Sequence, residues 1–292
     1  MSSSFRYLLV AILLSNVASA APIQSREERH KVEAWRKSMA RVPLPKKGCF
    51  KVSYPATEWL EVACTRAPNR FYPPGSPQSV GSGIDFEAEV AGLMSSATGS
   101  FDSVNVTSEN DNGNPDTYSL QLNSSFFTSP ACAGASNPAN CKGWQQFVYS
   151  SALGSAFIEY WLIAYAAPCP AGWTTAGVSC WKNSPNAIPA GSWPITDLQQ
   201  LSLTGSATAG GTDTIMMSFP GNTLSAMSQD DVLSLANGWN KAEFGIFGDG
   251  GGSDATFNAG ATMAVRTSVT DGTSNAPTCL LESFTSETNN LN

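Results

Sequence analysis

Amide and carboxylate side chains stand inside the most hydrophobic stretch of the chain, residues 143–165. Gln145 lies within the aromatic run Trp144–Tyr149, and Glu159 lies within a second aromatic run, Phe157–Tyr165. Both runs have the composition of β-strands, and the turn-forming residues between them predict a hairpin. A carboxylate among aromatic side chains needs a polar partner. The hairpin is therefore either a core with a satisfied polar pair or the floor of a cleft.

The faces of the two strands decide which of these side chains can act together. Alternate residues of a strand point to opposite faces, so Glu159 and Trp161 share one face of the second strand. Gln145 shares a face of the first strand with Phe147. Because a shift of one residue in register moves every side chain to the other face, Gln146 is the alternative to Gln145.

Composition excludes two widespread kinds of catalytic site. The chain has one histidine, His30, which lies in a basic N-terminal segment, so the remainder has no imidazole to act as a base or as a zinc ligand. The glycine run Gly248–Gly252 opens no predicted helix and is not a phosphate-binding loop. Carboxylates, amides and hydroxyls remain, and carboxylates act best as acids and bases at acid pH unless burial raises their pKa. We predict no metal and no cofactor.

The N-terminus has the pattern of a secretory signal peptide over residues 1–20. A basic residue precedes an apolar run, and small residues follow where a signal peptidase cleaves. No later stretch approaches the roughly 20 apolar residues that a membrane span needs. The sequence therefore predicts a secreted, extracellular protein that has no membrane partner after cleavage.

Charge is distributed unevenly along the rest of the chain. Residues 21–50 hold eight basic and three acidic side chains, whereas residues 51–292 hold seven basic and twenty acidic ones. Nucleic acid is excluded as a partner of so acidic a body. The basic segment is either a solvated arm or a propeptide that pairs with the acidic body and is released when its carboxylates are protonated.

Composition divides the exported chain into three parts. Residues 21–48 form the basic segment, in which Ser25–Ala40 has helical periodicity. Residues 49–78 are proline-rich and predict an extended segment stapled by a disulfide. Residues 79–292 contain short strand patterns separated by Gly, Asn and Ser turns. We predict an all-β fold, a concanavalin-like or jelly-roll antiparallel β-sandwich preceded by a short helical, basic segment, and we expect a monomer.

The seven cysteines fit an oxidising compartment. Six fall into local pairs within loop sequence, which predicts three disulfides, and Cys279 is left over. Asn105 and Asn123 begin N-glycosylation sequons, which matter only in a host that glycosylates. The predicted pairs are Cys49/Cys64, Cys132/Cys141 and Cys169/Cys180.

The hairpin resembles the core of the eqolisins, the glutamic endopeptidases, which fold as a β-sandwich of two large antiparallel sheets. That family has a Leu-Gln-Thr-Gly-Val-Asp strand followed by a Trp-Tyr-Glu-Trp-Tyr strand. The similar strings here are WQQFV at Trp144–Val148 and FIEYW at Phe157–Trp161. The family's later Ala-Glu-Trp-Ile-Val-Glu-Asp string is similar to AEFGIFGD at Ala242–Asp249. The resemblance extends over residues 97–269.

The resemblance implies a peptidase that acts at acid pH on a polypeptide substrate. Gln145 matches the catalytic glutamine of the family and Glu243 matches the catalytic glutamate. Glu243 would be the general base on a water and then the general acid to the leaving amine, while the Gln145 amide would stabilise the oxyanion. Glu159 and Trp161 would line the substrate cleft. The chain departs from the family at three positions, where Phe147, Tyr149 and Phe247 replace Gly, Asp and the second Glu of the motifs.

A rival hypothesis from another class is a non-catalytic, lectin-like sandwich that binds an extracellular glycan or cell-wall polymer. Its aromatic side chains would stack on sugar rings. A glycosidase variant would use two carboxylates out of Glu159, Glu243, Glu87 and Glu89. The tryptophans available for stacking are Trp161, Trp173, Trp181, Trp193 and Trp239.

Overall fold

The protein is built almost entirely of antiparallel strands. The structure, a computed structural model, describes residues 26–73, 86–228, 230–280 and 289–290; the signal-peptide prediction and the predicted boundary at residue 79 lie outside them. Among the described residues no helix is long and apolar enough to cross a membrane. The α-helix is α1, Arg26–Met39, and the 3₁₀ turns are Pro130–Gly134, Ile195–Gln200, Asp230–Val232 and Leu235–Asn237. The strands are β1 Cys49–Ser53, β2 Leu60–Val62, β3 Thr65–Arg66, β4 Glu87–Glu89, β5 Ser96–Asn105, β6 Glu109–Asp111, β7 Asn114–Pro115, β8 Tyr118–Ser124, β9 Lys142–Ser150, β10 Ser155–Ile163, β11 Thr174–Ala176, β12 Ser179–Asn183, β13 Asn186–Pro189, β14 Ser202–Ala207, β15 Asp213–Phe219, β16 Asn222–Met227, β17 Lys241–Gly248, β18 Ala255–Phe257, β19 Thr262–Thr270, β20 Thr278–Leu280 and β21 Asn289–Asn290.

Two large sheets face each other across one hydrophobic core. A seven-stranded sheet has the order β19-β5-β14-β15-β16-β1-β2, and a ten-stranded sheet has the order β11-β12-β10-β9-β8-β17-β4-β20, with β13 pairing β10 and β3. A small four-stranded sheet, β21-β18-β6-β7, lies beyond the end of β17. The predicted all-β sandwich with a short N-terminal helix is confirmed.

The predicted hairpin forms the middle of the ten-stranded sheet as β9 and β10. Its turn covers residues 151–154, and Ser150 pairs with Ser155 across it. The inner face of the hairpin fills the space between the sheets with aromatic and aliphatic side chains, among them Phe147, Tyr149 and Tyr160, all fully buried. Burial of apolar area on this scale is the main force that holds two sheets together.

Glycines let the two sheets approach closely at two places. A Cβ atom added at Gly205 on β14 would lie 2.3 Å from the ring of Phe147, and one added at Gly99 on β5 would lie 2.0 Å from the ring of Phe244. Both rings belong to the ten-stranded sheet and fill the space that a side chain on the seven-stranded sheet would need. Protein interiors are packed densely enough that such a clash cannot be relieved locally.

We expect Gly205→Ala to destabilise the fold by about 1–3 kcal/mol or more, because the new methyl group overpacks a rigid core. For a chain of this size that is a fall in Tm of about 2–4 °C per kcal/mol, measured by calorimetry. Gly92→Ala is the matched control, since a Cβ there meets nothing within 4 Å. Equal melting temperatures for the two variants would contradict the packing described.

Helix α1 packs on the outer face of the seven-stranded sheet. Trp35 and Met39 are buried against Val52 of β1, and the Trp35 Nε1 donates to the Ala56 carbonyl at 2.6 Å. The basic segment therefore contacts the sheet that lies on the other side of the core from β9 and β10. Whether it is removed as a propeptide stays a prediction.

The three predicted disulfides are confirmed. They join Cys49 to Cys64, Cys132 to Cys141 and Cys169 to Cys180, with Cα–Cα distances of 5.2, 5.6 and 5.7 Å. Cys279 is a free, exposed thiol. Three disulfides are typical of proteins that fold in an oxidising compartment.

Candidate active site

A row of polar residues crosses the outer face of the ten-stranded sheet. Residues directly opposite each other on neighbouring strands point to the same face. The register pairs Asn183 with Glu159, Glu159 with Gln146, Gln146 with Asn123, Asn123 with Glu243 and Glu243 with Glu87. We call these six residues, on β12, β10, β9, β8, β17 and β4, the polar row.

Five of the six residues of the polar row are buried although they lie on the outer face, and Asn183 is half-buried. Gln146, Asn123 and Glu159 have no exposed surface, and Glu243 is 2% exposed. Burying this many amides and carboxylates costs free energy unless they are hydrogen-bonded. A floor of this composition is not what packing alone requires, which marks the row as a candidate functional site.

A chain of hydrogen bonds orients the Gln146 amide. The Trp161 indole Nε1 donates to the Gln146 Oε1 at 3.1 Å and to the Glu159 Oε1 at 2.6 Å. The Gln146 Nε2 donates to the Gln121 Oε1 at 2.7 Å, and the Gln121 Nε2 donates to the Ser119 hydroxyl at 2.9 Å. The amide nitrogen of Gln146 has two hydrogens, and this network uses one of them.

Asn123 occupies the centre of the row, between Gln146 and Glu243. Its side-chain amide makes no hydrogen bond with any part of the chain that the structure describes. Neighbouring strands lie about 4.8 Å apart, so Gln146 and Glu243 stand about 10 Å apart at their Cα atoms with Asn123 midway. Three hydrogen-bonding side chains therefore lie side by side on one face of β9, β8 and β17.

The structure places Gln145 and Glu243 on opposite faces of the ten-stranded sheet. Gln145 lies on the inner face of β9, opposite Tyr160 in the register, and its Nε2 donates at 2.7 Å to the Asp213 Oδ2 on β15 of the facing sheet. Glu243 lies on the outer face. The alternative, Gln146, is the glutamine that shares a face with Glu159, Trp161 and Glu243.

The carboxylates at the β4 end of the row are held by a lysine. Lys241 Nζ lies 3.8 Å from Glu87 and 3.6 Å from Glu89, and the Ser125 hydroxyl donates to Glu87 at 2.7 Å. Burial raises the pKa of Glu87, while Ser125 and Lys241 act in the opposite direction. Among the four glutamates, Glu87 and Glu243 are a directly paired couple, whereas Glu159 lies three strands away from Glu243.

Glu159 is a buried acid with few polar neighbours. Its Oε1 accepts from the Trp161 indole and, at 2.9 Å, from the backbone N–H of Tyr72. Burial raises the pKa of Glu159 well above its usual range, and these two donors oppose the shift. The neutral acid is therefore favoured well above the pH at which an exposed glutamate ionises.

Part of the proline-rich segment covers this end of the row. We call residues 68–73 the strap. Its Tyr72 is fully buried, and the Tyr72 hydroxyl donates to the Asp249 Oδ1 at 2.9 Å. Arg70 makes an ion pair with the Asp249 Oδ2 at 2.5 Å. Burial beside Asp249 raises the pKa of the Tyr72 phenol well above its usual range.

Sequence reasoning missed Asn123 as a site residue and treated it as a glycosylation acceptor. The structure buries it completely within β8, whereas Asn105 is exposed. The signal was present in the alternation of Ser119, Gln121 and Asn123, which places three polar side chains on one strand face. The position of the strap has no comparable signal.

The tryptophans do not form an exposed platform. Trp161 and Trp181 are buried beneath Phe71 of the strap, and Trp239 packs against Phe147 in the core. Trp173 is partly exposed with Lys182 Nζ 4.8 Å above its ring. Within the described residues, no group of three or more His, Cys, Asp or Glu side chains is placed to hold a metal ion.

Comparison with known proteins gives only a distant structural resemblance. No protein-family profile and no curated protein matches the chain. A solved structure of scytalido-glutamic peptidase with a peptide-based transition state analog is 15% identical, covers 68% of this chain and 80% of that chain, and has a TM-score of 0.23. A second, with a transition state analog inhibitor, is 13% identical, covers 65% and 79%, and has a TM-score of 0.22.

Proposed function

We propose that the protein is a secreted hydrolase of the glutamic-peptidase type that acts on polypeptides at acid pH. The observation that carries the proposal is the placement of Glu243, Asn123 and Gln146 side by side across three strands of one sheet face, with the Asn123 amide unpartnered. A carboxylate and two amides are sufficient for acid–base catalysis and for stabilising an oxyanion without a metal or an imidazole.

The roles follow from the chemistry of each group. The Glu243 carboxylate takes a proton from a water molecule, whose oxygen attacks the carbonyl carbon of the scissile peptide. The negative charge that develops on the carbonyl oxygen is stabilised by the second hydrogen on the Gln146 Nε2 and by the Asn123 amide. Glu243 then returns the proton to the amide nitrogen as the C–N bond breaks. Glu159 and Trp161 position the substrate.

The described form is latent, because the row is buried and the strap lies over Glu159. Turnover requires that the residues that bury the polar row, among them the strap, be displaced. We retain the proposals that residues 1–20 are a signal peptide and that the basic segment 21–48 is a propeptide, although α1 packs on the other sheet. A step that uncovers Glu159 must act on the strap itself.

The glycan-binding alternative has less support. Sugar recognition by stacking needs exposed aromatic faces, and the two tryptophans beside the row, Trp161 and Trp181, lie under Phe71. The glycosidase variant would rest on the Glu87/Glu243 couple, but Glu87 is engaged by Ser125 and Lys241.

The test is cleavage of a denatured protein substrate between pH 2 and 7 by protein that has first been incubated at acid pH. We expect activity confined to acid pH, and we expect Gln146→Ala to lower kcat about 10²–10³-fold, the loss typical of one oxyanion donor. No cleavage at any pH by wild-type protein would refute the proposal.

Gln145→Ala is the matched control for that experiment. It removes the same amide from the adjacent position, on the opposite face of β9. We expect it to lower stability, because it deletes a buried hydrogen bond to Asp213, and to leave the kcat of the folded fraction within a few-fold of wild type. A greater loss of kcat for Gln145→Ala than for Gln146→Ala would place the site on the inner face.

A further inference from the structure

The strap is held as a bound peptide is held, through its backbone. The Asn183 Nδ2 donates to the carbonyls of Pro68 at 2.7 Å and Arg70 at 2.9 Å. The Gly251 N–H donates to the Phe71 carbonyl at 2.9 Å, and the Tyr72 N–H donates to Glu159. Three of these four contacts, two from Asn183 and one to Glu159, are made by members of the polar row.

The side chains of the strap enter separate pockets. The Phe71 ring lies against Trp181 and Trp161, with centroid distances of 5.2 and 5.9 Å. The Tyr72 ring lies in a second pocket with Val148, Phe157 and Ala187, and its hydroxyl reaches Asp249. The first pocket places two tryptophan rings against the ring of Phe71, and the second is apolar with one acidic group at its end.

The third element of the site is the glycine loop Gly248–Gly252. Gly250 has φ +91°, and a Cβ there would lie 2.8 Å from the Arg70 side chain. The loop therefore lies directly against the strap, and its Asp249 receives both the Arg70 guanidinium and the Tyr72 hydroxyl. A cation followed by two aromatic residues satisfies every one of these contacts.

We propose that the cleft over Glu159 is a binding site for an extended peptide of the form cation–aromatic–aromatic, and that the strap is its resident intramolecular occupant. A segment with only a structural role would lie on an apolar floor, whereas this one is hydrogen-bonded to a glutamate and an asparagine of the polar row. The part of the proposal that makes such peptides substrates rests on the proposed function. The part that makes them ligands of this site does not.

Two full-length variants and two peptides test the site. Phe71→Ala/Tyr72→Ala empties both pockets in the folded chain. The probe is the blocked hexapeptide Pro-Asn-Arg-Phe-Tyr-Pro, and its control has Ala in place of Phe and Tyr. Binding is followed by calorimetry and by the fluorescence of the tryptophans beside the first pocket. A tethered segment has an effective concentration of the order of millimolar, so the wild-type strap excludes a micromolar peptide.

We expect the double variant to bind the probe at least tenfold more tightly than wild type does, and at least tenfold more tightly than it binds the control peptide. Equal affinity for the two peptides, or equal binding by wild type and variant, would overturn the inference. Should the double variant not fold, Phe71→Ala alone, which empties only the Trp161/Trp181 pocket, is measured with the same peptides and judged by the same criteria.

The outcomes separate this inference from the proposed function. Selective peptide binding with no proteolysis at any pH would support the peptide-binding site and refute the peptidase function. Acid proteolysis with equal binding of the two peptides would support the peptidase function and refute the aromatic subsites.

Discussion

Glu243→Gln is expected to lower the acid proteolytic activity about 10²–10⁴-fold, the range that positioned acid–base catalysis contributes. The substitution keeps the shape of the side chain, replaces one acceptor oxygen with an NH₂ donor, and removes the ability to accept a proton from water. KM should change little, because Glu159, Trp161 and the pockets of the strap are untouched. The measurement is kcat and KM on a fluorogenic peptide after acid incubation.

Glu89→Gln is the control for that measurement. Glu89 is a partly exposed glutamate on β4 that faces the same lysine, Lys241, and stands two residues from the polar row. It should keep kcat within a few-fold of wild type. If Glu243→Gln retained activity and Glu159→Gln abolished it, the general base would be Glu159 and the roles of the two glutamates would be exchanged.

The free energy of unfolding is expected to fall as pH rises from about 4.5 to about 8, and Glu109 is one cause. Burial raises the pKa of Glu109 from 4.5 to about 8, Asp111, Asp116 and Asp249 add to the shift, and the backbone of Thr117 opposes it. Between these values the folded chain holds the Glu109 proton and the unfolded chain does not. Each rise of one pH unit in this interval therefore lowers the free energy of unfolding by about 1.4 kcal/mol through Glu109.

Chemical denaturation at pH 5 and at pH 8 measures this effect. Glu109→Gln is neutral at both values, so the variant should lose less stability than wild type over the interval and be the more stable of the two at pH 8. Glu159 and Glu87, whose pKa values are also raised by burial, contribute in the same direction and remain in the variant. Identical losses in wild type and Glu109→Gln would contradict the prediction.

Asp102→Asn is the control, because the pKa of Asp102 is shifted in the opposite direction from that of Glu109. The Arg266 guanidinium lowers the pKa of Asp102, so the stability that this exposed ion pair contributes is present above pH 3.8 and is lost as pH falls through the lowered pKa. The variant should therefore match wild type in its pH 5 to pH 8 difference.

Local sequence features predicted the elements that depend on nearest neighbours. The amphipathic spacing in the basic segment gave the helix, whose observed bounds are Arg26–Met39. Short loops between nearby cysteines gave the three disulfides. The aromatic runs gave the central hairpin, because long runs of β-branched and aromatic residues separated by small turn residues have few other solutions.

The choice between Gln145 and Gln146 depended on cross-strand register, which no single strand reveals. The turn fixes the register, because Ser150 pairs with Ser155 across it. Four residues away from the turn on each strand, Gln146 therefore lies opposite Glu159. The same kind of relation across β8 and β17 assembles the rest of the polar row. The pairings of Glu243 with Asn123 and with Glu87 join residues more than 100 positions apart in the chain, and alternation alone cannot supply them.

The strap was beyond sequence reasoning for a different reason. Its side chains reach Trp161, Trp181 and Asp249, each from a separate part of the chain, and it pairs with no strand. Proline-rich sequence predicts an extended path but not the surface over which that path runs. Only the three-dimensional placement of the glycine loop and the tryptophans defines it.

The Cys49–Cys64 disulfide has a consequence for the order of events in maturation. A single cut within residues 21–48 would release the segment on its N-terminal side, yet the strap would still be joined to β1 through Cys64 and to the sandwich through the main chain beyond Pro73. It would behave as a ligand that cannot diffuse away, and it would rebind each time it left the cleft. A molecule that works in many cycles therefore needs either scission on both sides of the strap, between Cys64 and Pro68 and beyond Pro73, or a substrate abundant enough to outcompete its own polypeptide.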